Sequence, residues 1–120
     1  MLKLTGAVLM LSLAPYLQCL GLDDDQACTA IFVYGVNVEV TNQAGTPIAN
    51  ATCTLQDGNY IEVLQTLTAG EYFGAGEREG TYTLTVQATG YQSVTVEDIV
   101  VGADECHVIP VTVKVPMTAQ

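Results

Sequence analysis

Residues 80–91 read Gly80-Thr81-Tyr82-Thr83-Leu84-Thr85-Val86-Gln87-Ala88-Thr89-Gly90-Tyr91. Apolar and polar side chains alternate strictly between the two glycines. Such alternation is typical of a half-buried β-strand, because successive side chains leave opposite faces of the pleat. Gly80 and Gly90 stand at the ends, where a turn often needs the positive φ that glycine tolerates. The stretch predicts one strand of an antiparallel sandwich.

Other short strands are expected along the chain. The predicted strand regions are 31–42, 51–55, 60–67, 70–76, 81–88, 93–101 and 107–115. Gly35 interrupts the first region and indicates a bulge. Asp57-Gly58 favours a hairpin with a type I′ turn. Strands spaced at roughly ten residues with turn signals between them are typical of a β-sandwich, and we expect residues 116–120 to be a frayed tail.

The N-terminal segment has the build of a secretory signal. A basic start at Lys3 is followed by an apolar run, 4–17, that is too short to span a bilayer. We therefore assign residues 1–21 to a signal peptide and 22–30 to a linker, with the sandwich domain at 31–115. The alternative is an uncleaved N-terminal membrane anchor.

Cys19 leaves two outcomes open at the end of that segment. A cysteine at this place is the acylated residue of bacterial lipoprotein signals, which would make Cys19 a lipidation site and the only route of membrane attachment. Gln18 departs from that pattern, since a small residue usually precedes the cysteine. Ordinary cleavage near Gly21 is the competing outcome.

The chain is acidic, with a formal net charge of −10 at pH 7. If residues 1–21 are removed, Arg78 and Lys114 are the only remaining Arg or Lys side chains. Such a surface repels nucleic acid, because no patch of basic side chains can neutralise the phosphates. We exclude nucleic-acid binding, and the acidity favours solubility.

Four cysteines remain to be assigned. Cys28 precedes the first predicted strand and Cys106 precedes the last, so we predict a disulfide between them in an oxidising compartment. Cys53 alternates with apolar neighbours and is predicted to be a free, buried side chain. Zinc is disfavoured, because the chain has one histidine and no Cys-x-x-Cys spacing. We expect no metal site and no cofactor.

Two motifs resemble those of the carboxypeptidase regulatory-like domains. The first is Gly45-Thr46-Pro47-Ile48-Ala49-Asn50-Ala51-Thr52-Cys53-Thr54-Leu55, with Cys53 where valine is usual, and the second is the stretch 80–91. The resemblance implies an all-β fold, a transthyretin-like sandwich of seven antiparallel strands. It also implies an accessory module of envelope or surface proteins that brings no catalytic residues.

Catalytic chemistry is not expected from the residues either. His107 is the only imidazole, and a packed or edge position explains it. Ser93, the only serine of the mature part, falls on the solvent face of its strand and lies in no nucleophile elbow. A zinc hydrolase needs two or three ligands and a general base, which a single histidine cannot supply. We predict that the protein is not an enzyme.

Two kinds of binding site are considered. Tyr60 and Tyr72 lie beside loops and are the candidate ligand-binding residues, ahead of Phe73 and of Tyr82, whose parity places it in the core. The acidic runs 23–25 and 104–105 flank the predicted disulfide and would approach each other if it forms, which gives a weaker calcium hypothesis.

The sequence thus predicts an exported, non-catalytic module of the periplasm, outer membrane or exterior. Its predicted role is interaction with, or scaffolding of, another envelope or surface protein. A small carbohydrate-binding module of the starch-binding-like type is the alternative, by analogy of fold.

Overall fold

The computed structural model describes Cys28 and residues 30–120. Contacts within the chain define two units, Met1–Ile31 and Phe32–Gln120, and all the described strands belong to the second. The predicted signal, Cys19 and the acidic run 23–25 lie outside the described residues. Within the described part, no helix is long and apolar enough to cross a membrane.

The described residues form eight strands in two four-stranded sheets. In chain order they are β1 (Tyr34–Thr41), β2 (Thr52–Asp57), β3 (Tyr60–Val63), β4 (Gln65–Thr68), β5 (Glu71–Gly76), β6 (Gly80–Gln87), β7 (Val94–Val101) and β8 (Val111–Pro116). Sheet A has the order β8-β1-β5-β4, and sheet B has the order β3-β2-β6-β7. The predicted all-β sandwich is confirmed, but it has eight strands rather than seven, and β1 pairs with β8 in parallel.

The core lies between the sheets and is built mainly from alternate residues of β1, β2, β6 and β7, whereas β3 and β4 contribute no fully buried side chain. The stretch 80–87 forms β6, and of the four apolar residues that alternation places on one face, Tyr82, Leu84 and Val86 are fully buried while Ala88 is half-buried beyond the end of the strand. The buried apolar residues are Val36, Val38, Val40, Ile48, Cys53, Leu55, Leu64, Tyr72, Ala75, Tyr82, Leu84, Val86, Ile99, Val101, Val108, Val115 and Met117. Cys53 is a free thiol, as predicted, and burial raises its pKa to about 12, so it is chemically quiet.

The extra strand arises because the single predicted strand 60–67 divides at Leu64. Leu64 is buried, and its N–H donates to the carbonyl of Cys53 on β2 at 2.8 Å. Beyond Leu64 the chain leaves sheet B and continues as β4 at the edge of sheet A. A strand that crosses from one sheet to the other joins the two layers along one side of the sandwich.

Gly35 does not mark a bulge. The pairing of β1 with β5 keeps its register, with Tyr34 opposite Gly76 and Val36 opposite Gly74. Instead, a Cβ at Gly35 would lie 2.8 Å from a methyl group of Val101. The glycine is required by close packing. A bulge does occur in β7, where Asp98 adopts a positive φ of 59°.

The hairpin after β2 also differs in type from the prediction. Asp57 pairs with Tyr60, so the loop is Gly58-Asn59 rather than Asp57-Gly58. Gly58 has a φ of 60°, whereas Asn59 is not among the residues with positive φ. Glycine at the first loop position is the pattern of a type II′ turn.

The C-terminal tail is not frayed. Met117 is fully buried, and its N–H donates to the carbonyl of Thr41 at 2.7 Å. Gln120 donates its N–H to Gly90, and Ala119 forms a bridge with Tyr91. These hydrogen bonds tie the last residues to the loop after β6, so the segment is part of the domain.

Candidate interaction edge

The side of the sandwich formed by residues 60–68 exposes three aliphatic side chains, and we call it the open edge. It consists of β3, the edge strand of sheet B, and β4, the edge strand of sheet A, joined by Leu64. The exposed fractions are 62% for Ile61, 61% for Val63 and 89% for Leu67. Single exposed apolar residues are ordinary, but three within seven residues on unpaired strand edges mark a surface suited to contact.

A register shift accounts for the exposure of Leu67. Thr66 pairs with Tyr72 and Thr68 pairs with Glu71, so Leu67 is an extra residue in β4. The hydroxyl of Thr66 donates to the carbonyl of Thr68 at 3.0 Å and braces this bulge. A bulge turns a side chain out of the ladder, and here it directs an aliphatic side chain into solvent.

Behind the open edge, Arg78 fixes the start of β3. Its guanidinium lies 3.7 Å from the ring centroid of Tyr60 and donates to Asp57 at 3.1 Å and to the hydroxyl of Tyr82 at 2.9 Å. The Tyr82 hydroxyl also donates to the Arg78 carbonyl at 2.9 Å. The cation, the aromatic face and the carboxylate hold one another in a single arrangement.

Glu62 closes the gap between the two sheets at this edge. Its Oε1 accepts the Tyr60 hydroxyl at 2.7 Å and the N–H of Ala75 on β5 at 2.9 Å. The hydrogen bond to Glu62, together with burial, raises the pKa of Tyr60 to about 12, so the phenol stays a donor. A carboxylate of sheet B thereby binds the backbone of sheet A, and the open edge has a rigid base.

The structure does not bring the two predicted ligand-binding tyrosines together as a surface. Tyr72 is buried at 3% exposure, and its hydroxyl donates to the Ile48 carbonyl at 2.7 Å and accepts from the Ala51 N–H at 3.0 Å. Assigning Tyr72 to an exposed binding face was wrong, because the ring is part of the core. Tyr60 is half-buried, and Arg78 covers one of its faces.

His107 lies in a cluster that holds loops together. Its Nδ1 is 2.7 Å from Glu77 Oε2, and the same carboxylate accepts the N–H of Val33 at 2.9 Å and of Val108 at 3.3 Å. Partial burial opposes ionisation of Glu77, but these hydrogen bonds outweigh it and lower the carboxyl pKa. A carboxylate engaged by three partners acts as a clamp between segments.

Asp104 caps the loop that carries Cys106. Its Oδ1 accepts hydrogen bonds from the N–H groups of Cys106 and His107 at 2.8 and 2.9 Å. These bonds lower the pKa of Asp104, and the bond from His107 has the largest effect. The carboxylate is therefore engaged with the backbone. In the described part of the chain, no three metal-ligating side chains gather at one place.

Ser93 lies apart from this cluster in a different setting. It lines a shallow polar depression of about 430 Å³ with Thr52, Gln87 and Gln120 among others. His107 is not among the residues that line it. The side chains that line the depression offer amide and hydroxyl groups but no imidazole, Asp or Glu to activate the serine.

Cys28 and Cys106 are both disulfide-bonded, which is the state that the predicted bridge requires.

The sequence did not single out Ile61, Val63 and Leu67. Apolar residues occupy both parities from Tyr60 to Leu64, so the pattern did not separate the buried from the exposed face.

Comparison with known families supports the motif assignment. The model of the carboxypeptidase regulatory-like domain matches residues 35–116, which span all of β1 to β8 except Tyr34. No curated protein matches the chain.

Proposed function

Because this chain belongs to the carboxypeptidase regulatory-like domain family, we propose that it is an exported envelope or surface module that binds another protein through its open edge. The family is generally non-catalytic and typically extracellular or surface-associated. The specific role in scaffolding a partner is our proposal.

The proposal rests on one observation: the open edge exposes aliphatic side chains on strands that are held in place from behind. Ile61, Val63 and Leu67 project from strands whose outer backbone has no strand partner among the described residues. Glu62 and Arg78 fix the same strands from behind. Burial of exposed aliphatic area at about 25 cal/mol per Å² drives association, and a pre-ordered strand loses little entropy on binding.

Disulfide-bonded cysteines support the exported location, because such bonds persist in oxidising compartments. Anchoring through an acylated Cys19 remains a separate prediction, to be decided by the intact mass of the protein from its native host.

The carbohydrate alternative is not supported by Tyr60 and Tyr72. Sugar stacking needs an exposed aromatic face, and these rings are covered by Arg78 or buried in the core. We therefore do not extend the proposal to saccharides.

The experiment is co-purification from the native host with two matched charge variants. Ile61→Lys with Leu67→Lys alters the open edge, and Thr95→Lys with Val100→Lys alters exposed positions of β7 on the opposite edge. We expect a partner that is retained by the wild type and the β7 variant but lost by the open-edge variant. Equal retention by all three proteins would refute the proposed surface.

A further inference from the structure

We propose that the outer side of β3 accepts an extended segment of a partner protein in which aliphatic and basic residues alternate, so that the segment becomes a fifth strand of sheet B. This inference rests on the proposed function and specifies both the binding mode and the chemistry of the partner.

The hydrogen-bond pattern of β3 defines which backbone groups are available. The N–H of Leu64 donates to Cys53 on β2, and residues of an antiparallel edge strand alternate in pointing toward and away from their partner. Tyr60 and Glu62 therefore point their backbone groups toward β2. The N–H and C=O groups of Ile61 and Val63 point away from it, into the position of a further strand.

The outer face of sheet B beside β3 carries no charge. Ile61 lies opposite Gln56, and Val63 lies opposite Thr54. Aliphatic side chains of an added strand would extend the apolar contact of Ile61 and Val63 on this face. Strand addition obtains affinity from the backbone and specificity from alternate side chains, which matches this arrangement.

The opposite face of β3 determines the charge of the partner. That face carries the Arg78 guanidinium over Tyr60 at the start of the strand and, further along, Glu62, whose Oε1 accepts from Tyr60 and Ala75. The whole chain carries a formal net charge of −10. Antiparallel pairing of β3 with a second copy would place two Glu62 residues on the same face within reach of each other, where like charges are unfavourable. A lysine or arginine of a different protein would complement that carboxylate and the overall charge.

The test uses a random library of twelve-residue peptides displayed on phage and selected against the protein purified from its native host. We expect enriched peptides that alternate aliphatic and basic residues. Binding should fall at least tenfold with Ile61→Pro, which removes an outward N–H without removing a bond to β2. The control Thr95→Lys should bind the same peptides.

Hydrogen exchange keeps the test independent of the folding of the proline variant. On the wild type, an enriched peptide should slow exchange of the Ile61 and Val63 amides at least fivefold. Failure to enrich peptides, enrichment of acidic ones, or unchanged exchange at both amides would overturn the inference. Slow exchange of these two amides in the absence of peptide, together with a dimeric mass, would also overturn it, since the occupant would then be a second copy.

The two proposals fail separately. If co-purification depends on the open edge but no peptide protects Ile61 and Val63, the edge binds a partner by another mode. If peptides bind β3 but co-purification is unaffected by the open-edge variant, strand addition stands and the proposed function fails.

Discussion

Each side of the sandwich ends in edge strands that could pair with a strand of another chain. The two sides differ in the features that prevent such pairing. On one side, β7 carries a bulge at Asp98 and β8 presents Lys114 and ends at Pro116. Bulges, lysine and proline are devices that prevent a strand edge from pairing with another chain. On the other side, β3 has a regular ladder with β2 and exposes Ile61 and Val63.

The difference shows that edge protection is selective in this domain. β4 has a bulge, but that bulge exposes Leu67 at 89% rather than a charged side chain. Hydrogen bonds of Arg78 to Asp57 and of Glu62 to Ala75 hold the base of the open edge in place. In the described strands of the opposite edge, one aliphatic side chain is exposed, Val100 at 63%, on a bulged strand. Three exposed aliphatic side chains on one edge, one strand of which is regular, are the arrangement of an interaction surface.

The largest expected effect concerns the protected side. We predict that Cys106→Ser loses about 4 kcal/mol of unfolding free energy, because a disulfide to Cys28 closes a long loop and restricts the unfolded chain. Urea unfolding measures it, and amide exchange should rise in β8 but not in β3. Cys53→Ala is the control: on reduction, it should lose as much unfolding free energy as the wild type does. Stability that does not change on reduction of the wild type would refute the bridge.

The next effect separates a core tyrosine from one at the open edge. Tyr72→Phe should lose about 2 kcal/mol, because it removes the partner of the buried Ile48 carbonyl and of the Ala51 N–H. Tyr60→Phe should lose less, since its hydroxyl is half-buried and Glu62 keeps its bond to Ala75. Urea unfolding of both variants checks the order. A neutral Tyr72→Phe would contradict the structural role assigned to this ring.

A smaller effect is expected at the base of the open edge. Arg78→Met should lose less stability than Tyr72→Phe, because the side chains of Arg78 and Asp57 are each about one-third exposed, at 34% and 33%, and solvent screens their ion pair. The loss should shrink in high salt. Lys114→Met on the protected side is the matched control, and an equal loss in the two variants would argue against a special role of Arg78.

The smallest effect is a dependence of stability on pH in the acid range. The pKa values of Glu77 and Asp104 are lowered in the fold, so their contribution is full above their ordinary values and is lost as the pH falls through the folded values. Thermal unfolding between pH 6 and pH 3 should show the decline beginning near pH 4.5, the ordinary value of Glu. Glu77→Gln should flatten the profile, and an unchanged profile would contradict the clamp.

Sequence reasoning succeeded where local patterning and tertiary packing agree. In β6 the alternation places Tyr82, Leu84 and Val86 on one face, and all three are fully buried. It failed at Leu64, because apolar residues occupy both parities from Tyr60 to Leu64 and no pattern marks the residue at which the chain changes sheets. It also failed at the C-terminus, where the burial of Met117 depends on contacts with distant segments.

The binding surface was harder to predict than the core. Tyr72 was predicted to bind a ligand because it lies beside a loop, whereas its ring is buried in the core and its hydroxyl is satisfied by Ile48 and Ala51. The exposure of Leu67 depends on a register shift, which no local pattern of polar and apolar residues encodes.

The most direct test of the central claim is a photo-crosslinking map in the native host. A photoreactive amino acid is placed at Leu67 or Ile61 on the open edge and at Val100 or Thr95 on β7, one position per variant. We expect a discrete crosslinked partner from Leu67 and Ile61 and none from the β7 positions. Crosslinks of equal yield from both edges, or from β7 alone, would contradict it.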